Sequence, residues 1–373
     1  MGGVDEAENP GEIRFASDGL AVQSRSLRSF AMFAISAVDA ISPALQRTRT
    51  LLFRPFRLGT FLKLCLVAAV TEGTGNFNSS VPGGHTRHAD ASVFSPFLWT
   101  PARIAAGVAM TLLVLLLCGY LLYLVTRLRF AFFHCLIHNT REIRPGWALY
   151  RSQAARFFWL NVVVGFGYLL VLALILLPFA AEFIALFHRV QSGGHPDIGM
   201  ILGLILPLIP IIIVLALVAF ATDVILRDLM LPHFALEDAS AGEAWRAAWA
   251  RIRAEKGPFF AYTLLRIILP IGAWVALFIV LAIPAVIFFV AVVAVGVMIH
   301  AALADAHLLR IFVEAVAGAV AFCIVMLVGV CFGGPLGAGM REHALVFYGG
   351  RYQKLGDILY PPPEPGLSAP GIA

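Results

Sequence analysis

Long uncharged apolar runs alternate with short basic stretches along this chain. Residues 104–126, 157–181 and 198–222 carry no charged side chain, nor do residues 267–304. Each run is long enough to cross a hydrocarbon core of about 30 Å at about 1.5 Å rise per residue. Three intervening stretches place apolar residues at helical spacing with arginines on the other side. In the first, Leu45, Leu52 and Phe56 oppose Arg47, Arg54 and Arg57, with Ser42-Pro43 read as N-cap and first helical residue. In the second, Pro145 starts a helix with Trp147, Tyr150, Ala154 and Phe158 on its apolar side and Arg151 beside them. The third is SAGEAWRAAWARIRAEKGPFF at 240–260. Ser240 and Glu243 have the spacing of a capping box; Ala241, Trp245, Ala248, Trp249 and Ile252 lie on one side, Arg246 and Arg253 on the other. The pattern predicts an all-α fold, a polytopic helical membrane bundle of about six transmembrane helices. These form three hairpins, each preceded by a cytoplasmic interfacial amphipathic helix.

Within a transmembrane domain at 29–345, the spans are expected at about 58–72, 103–127, 157–182, 198–226, 259–283 with an apolar extension to 300, and 308–332. The first is the shortest and contains Lys63, whose stem can carry its ammonium to the headgroups. Residues 71–96 read as an external loop. Pro207 and Pro210 are expected to kink the fourth span. A helix covering the fifth apolar run would far exceed the membrane thickness, which predicts a break at Pro270 or Pro284 and leaves one broken span or two. Gly333-Gly334-Pro335 is read as the end of the last span.

Composition strengthens this reading. The chain is 60% hydrophobic and 13% charged, with a mean hydropathy of +0.87. A soluble domain carries about 25% charged residues. With six spans and both termini inside, 21 of the 27 Lys and Arg fall on the cytoplasmic side and four on the outer side, the asymmetry of a multi-pass protein of a bacterial cytoplasmic (inner) membrane. Residues 1–28 read as a disordered cytoplasmic N-terminus and 346–373 as a cytoplasmic Pro-rich tail. Asp5, Glu6, Glu8 and Glu12 precede any basic residue, so no cleaved signal is expected and insertion falls to the mature spans. A shift of 98 residues superposes Arg129 on Arg227 and Trp147 on Trp245, which suggests an internal repeat.

Little chemistry emerges. His134 and His138 are i, i+4 neighbours near Cys135 and Glu142, and HTRHAD at 85–90 could hold an ion loosely, but both are better read as ordinary polar groups. Glu72, Glu182, Asp305 and Glu314 map to the outer side, with Glu182 and Glu314 the candidates for a polar vestibule. Asp223 and Arg227 should pair, and Arg266 should pair or snorkel. The five cysteines form no CxxC and no disulfide framework. No phosphate loop, HExxH or GxSxG occurs, and nothing assembles into nucleophile, base and orienter. No catalytic, cofactor or metal site is expected, and no nucleic-acid footprint is present.

At RTRTLLFRPFRLGTFLKL (47–64), RFAFFHCLIHN (129–139) and SAGEAWRAAWARIRAEKGPFF (240–260), the chain resembles a bacterial integral-membrane family. Its members carry the label glycerophosphoryl diester phosphodiesterase membrane domain or are uncharacterised conserved membrane proteins. The resemblance implies a helical membrane module. In the fused relatives phosphodiesterase activity belongs to a separate soluble barrel, and no segment here is long and polar enough to be one. The expected role is a non-catalytic membrane anchor, scaffold or lipid-associated module. Trp147, Arg151, Trp245, Arg246, Trp249 and Arg253 would then meet membrane lipids or a protein partner. A small-molecule or lipid transporter or channel, and an intramembrane lipid-modifying enzyme, are the other classes.

Overall fold

The structure, a computed structural model, describes residues 35–73, 101–192 and 198–361. These are helical, with no strand among the described residues. In chain order the helices are α1 (Ile41–Phe53), α2 (Leu58–Gly73), α3 (Pro101–Ile137), α4 (Ile143–Leu149) and α5 (Arg151–Leu176). A 3-10 turn at Leu177–Phe179 carries α5 into α6 (Ala180–Gln191). Then come α7 (Ile198–Val224), a π-helical turn at Ile225–Met230, and α8 (Leu231–Glu237). The last four are α9 (Ala241–Ala254), α10 (Lys256–Ala302), α11 (His307–Gly349) and α12 (Gln353–Leu359).

Five segments are long and apolar enough to cross a membrane: Ile104–Ile137, Arg151–Gln191, Ile201–Glu237, Lys256–Ala302 and His307–Gly349. The most apolar stretch of four of them is 0% buried within the protein. Such surface is stable only in lipid or against another membrane helix, because water would charge about 25 cal/mol for every Å². The fold is therefore a polytopic helical membrane protein.

Protein packing concentrates in a base at one end of these helices. Phe130, Phe132, Phe133 and Leu136 of α3 meet Tyr150, Ala154 and Phe157, the π-turn residues Leu226, Leu229 and Met230, and Phe234 of α8. Phe259 and Tyr262 of α10 join Ala344–Tyr348 of α11 and Leu355 of α12 in the same cluster. Edge-on contacts of Phe157 with Phe130 and Phe234, at 5.6 and 5.4 Å, knit three helices together. Truncating one such buried ring to Ala typically costs about 3–5 kcal/mol.

Four expectations need correction. The predicted break at Pro270 or Pro284 is absent: α10 is one helix of 47 residues. At about 1.5 Å per residue it is roughly 70 Å long, and its first turns, where Phe259 and Tyr262 are buried, belong to the base. A proline costs one N–H bond and crowds one carbonyl, and α10 absorbs both without ending. For the same reason α11 runs through Gly333-Gly334-Pro335 to Gly349. At the start, α1 begins at Ile41 after Ala40, and no side chain caps it, so Ser42 lies inside the helix rather than at its cap.

The fourth correction concerns the first predicted span. Leu58–Gly73 is a helix of only 16 residues, and Phe61, Leu64, Cys65, Val67, Ala68 and Thr71 on it are buried by protein. Its close partner is α11. A Cβ built on Gly334 would lie 2.5 Å from the Cys65 Cα, and one on Gly337 would lie 3.2 Å from the Ala68 carbonyl oxygen. Only glycine allows that approach at Gly334. As α11 advances from Gly334 to Gly337, α2 advances from Cys65 to Ala68, so the two run in the same sense. On α1 the order reverses: Thr48 faces Gly339, Arg47 Nε donates to Glu342 Oε2 at 3.1 Å, and His343 Nε2 donates to the Ala37 carbonyl at 2.8 Å. Thus α1 and α2 form a short hairpin laid on the base end of α11. This brings Thr71 and Glu72 to the base instead of the outer side. The predicted external loop from residue 74 onward, including HTRHAD, lies outside the described residues.

Candidate functional site

Each apolar run must end where ionisable side chains can find water or a partner. In this protein several of those ends converge on one buried cluster. Asp228, in the π-turn, is 1% exposed. Its carboxylate accepts from Tyr262 Oη at 2.7 Å and from Arg341 Nη1 at 2.9 Å, with Arg266 Nε at 3.3 Å. Arg266 reaches Glu72 at 3.5 Å and donates to the Met340 carbonyl at 2.7 Å. Arg341 also donates to the Arg227 carbonyl at 2.7 Å, and Arg227 Nε lies 2.6 Å from Asp223. Arg129 Nε donates to the Thr71 carbonyl at 3.1 Å. Four arginines and three carboxylates from α2, α3, α7, the π-turn, α10 and α11 thus share one site. The expected Asp223–Arg227 pair forms. Arg266 does not snorkel, because carboxylates are within reach. The desolvation cost of such a group is offset only while every partner is in place.

A second buried network lies between α8, α9 and α11. Arg251 Nη1 lies 3.2 Å from His233 Nε2, and an arginine can only donate. His233 Nε2 is therefore an acceptor, and Nδ1 carries the proton donated to Glu237 Oε2 at 2.9 Å. Tyr348 Oη stands 2.8 Å from the same Nε2. Lys354 pairs with Glu237 at 3.1 Å, and Arg351 with Glu255 at 2.7 Å. Burial and the nearby Glu237 carboxylate push the Tyr352 hydroxyl above its ordinary range. These groups fasten α12 and the end of α11 to α9.

The capping box of α9 forms as predicted: Glu243 N–H donates to Ser240 Oγ at 3.4 Å and Ser240 N–H to Glu243 Oε2 at 2.9 Å. These bonds hold the Glu243 carboxyl below the usual glutamate range. The helix buries Ala244 and Ala248. Trp245 and Trp249 sit at the edge of that face, 41% and 36% exposed, their rings stacked 5.7 Å apart. The Arg253 guanidinium lies 5.5 Å from the Trp249 ring, and Arg246 is exposed. On α4, Trp147 is half-buried beneath Arg127, whose guanidinium lies 4.3 Å from the ring and donates to the Trp147 carbonyl. Arg151 is exposed at the start of α5. Trp147 is thus pinned within the protein, whereas the α9 pair is presented outward.

Near the end of α1 lies a cleft of about 500 Å³, lined in part by Thr50, Arg54, Pro55, His134, Arg141 and Glu142. Arg141 holds it open by capping α1. It donates to the carbonyls of Leu51 at 2.8 Å, Pro55 at 2.7 Å, Thr50 at 3.1 Å, and Arg54. The His134 and His138 rings are 4.6 Å apart, and His134 Nδ1 lies 3.5 Å from Tyr150 Oη. Cys135 faces the Glu142 carbonyl at 3.4 Å. Among the described residues no group of three or more His, Cys, Asp or Glu could hold a metal ion.

The two vestibule candidates are not brought together. Glu182 is exposed on the first turn of α6, and Glu314 pairs with His300 at 3.3 Å across the turn joining α10 to α11. The Asp228 cluster was missed, although Arg266, flanked by apolar sequence, signals a buried partner.

No curated protein and no solved structure matches the chain. A family model does match, over residues 35–358, which covers the base and all five long apolar helices. The chain belongs to that family, DUF7544, whose description is a family of unknown function.

Proposed function

We propose that this protein is a non-catalytic membrane module, a scaffold or anchor associated with anionic lipid, with the base on the cytoplasmic side of a bacterial inner membrane. The observation that carries the reading is α9. One of its faces is fixed in the base by Ala244 and Ala248, while Trp245, Trp249, Arg246 and Arg253 project from it. Indole rings favour the membrane interface, and adjacent arginines favour anionic headgroups. The lysine and arginine asymmetry supports the orientation. Resemblance to the glycerophosphoryl diester phosphodiesterase membrane domain fits a module of this kind, and so does an internal repeat. Arg129 and Arg227 each lie just beyond the C-terminal end of an apolar run, 104–126 and 198–222, and Arg341 lies beyond the final run in the same manner. Placement of charge weighs against transport: Glu182 has no side-chain partner among the described residues, and Glu314 lies near a turn.

The test compares tryptophan emission of wild type and Trp245→Phe/Trp249→Phe in nanodiscs containing brominated lipid. The difference spectrum isolates the α9 pair from the other four tryptophans. The reading expects it to be quenched, more strongly by brominated phosphatidylglycerol than by brominated phosphatidylcholine. An unquenched difference spectrum would remove the lipid contact on which the reading stands.

A further inference from the structure

We infer that the cleft at the end of α1 binds the phosphoester headgroup of a phospholipid. The inference rests on the lipid-associated reading but uses a different part of the base from α9. Three features of the cleft carry it.

The first is unspent positive charge. Arg54 is exposed, and its guanidinium makes no hydrogen bond or ion pair among the described residues. Its backbone is fixed, because the carbonyls of Thr50, Leu51, Arg54 and Pro55 are all held by Arg141. Arg141 supplies a second charge to the same wall and meets no carboxylate there. His134 lines the cleft, its Nδ1 side turned toward Tyr150 and its Nε2 without a hydrogen-bond partner among the described residues. A guanidinium with free parallel N–H groups and an imidazole nitrogen beside it form a donor set that suits phosphate oxygens.

The second feature is the surface beside the cleft. Phe53, Phe56 and Leu58 are 44%, 57% and 62% exposed and flank Arg54 in sequence. Phe53 and Phe56 pack against Phe61 at tilted angles, with ring centroids 5.4 and 5.6 Å away, so the exposed rings are fixed in place. An apolar rim adjoining a cationic cleft matches an amphiphile whose chains leave the site over the rim. A free phosphate ion would make no use of that rim.

The third feature is Glu142, an exposed carboxylate on the cleft wall without a side-chain partner among the described residues. Opposite charges in one cleft of this size fit a headgroup carrying both phosphate and ammonium, so an ethanolamine headgroup is favoured over a glycerol one.

The experiment titrates the full chain in neutral maltoside with dihexanoyl phosphatidylethanolamine, dihexanoyl phosphatidylglycerol and inorganic phosphate, each below any micellar concentration. Binding is read by calorimetry. Arg54→Gln should weaken both lipids tenfold or more, and His134→Gln should weaken them by a smaller factor. Glu142→Gln should abolish the preference for the ethanolamine headgroup while leaving the glycerol headgroup bound. The side chains of Arg54 and Glu142 are exposed and unpaired among the described residues, so both variants should fold, with an unchanged helical circular dichroism spectrum as the check. Wild-type affinity in both Arg54→Gln and His134→Gln would overturn the site. Inorganic phosphate binding as tightly as the lipids would reassign the cleft to a free anion and overturn the lipid assignment. If the α9 tryptophans are quenched by lipid while neither Arg54→Gln nor His134→Gln has an effect, the cleft falls and the α9 reading stands; the converse result removes α9 and leaves the cleft.

Discussion

The base and the apolar helices rising from it are held by different physics. In the base, side chains from nearly every helix bury one another, and the charges among them are paired. Along 104–122 of α3, by contrast, every large hydrophobic residue is exposed to whatever surrounds the protein. Water drives the first arrangement and lipid permits the second, since lipid tails reward an apolar helix whether or not another helix lies beside it. The lesson is that helix length and hydropathy set where a chain crosses, while the polar ends of the crossings decide how the crossings are arranged.

The comparison breaks most visibly at Asp228. Asp228→Asn keeps the shape but removes the carboxylate shared by Arg266, Arg341 and Tyr262. Leaving such a pair half-formed in a buried site typically costs about 3–5 kcal/mol. Thermal unfolding in detergent should show a large drop in midpoint for this variant; an unchanged midpoint would mean that the cluster is solvated and does not hold the base together.

A smaller effect tests the attachment of α9. Ser240→Ala removes an N-cap, a loss of about 1 kcal/mol. Hydrogen exchange should speed severalfold at the amides of the first turn of α9 and remain unchanged in α10. The same cap has a pH dependence whose sign follows from Glu243. Its carboxyl is held below the ordinary value by Ser240, so its contribution is complete above the ordinary glutamate range. That contribution disappears as pH falls through the lower folded value. Wild-type first-turn protection should therefore fade below that range, and Ser240→Ala should lack that step. An identical acid profile in both proteins would deny the cap.

Local patterns were legible in the sequence because they involve residues a turn or two apart. The Ser240–Glu243 capping box, the Asp223–Arg227 pair and four of the long apolar runs are of this kind. The site at Asp228 was not, since its partners Glu72, Arg266 and Arg341 are remote in sequence and no periodicity links them. Depth alone gave a hint: Arg266 and Glu72 each adjoin apolar sequence that could not keep an unpaired charge. The α1–α2 hairpin was misread for a related reason. Hydropathy over 58–72 resembles a weak span, but a 16-residue helix is about 24 Å long, short of the core, and its apolar face fits α11 through Gly334. Pro270, Pro284 and Pro335 were read by the habits of helices in water, where a lost hydrogen bond has an alternative. Inside an apolar helix no such alternative competes.

The division between base and lipid-facing helices is tested most directly along α10, which belongs to both. Spin labels placed singly at successive positions from Phe259 to Val297, in a cysteine-free background in nanodiscs, would report oxygen access by power saturation. The account predicts low access at Phe259 and Tyr262 and, from Ile271 onward, high access at exposed positions such as Phe278, Val280, Ile287 and Val290, with only partial protection on the face of Leu277, Leu281, Phe288 and Val292. A 3.6-residue alternation persisting through Val297, with one face as protected as Tyr262, would show a packed bundle and contradict it.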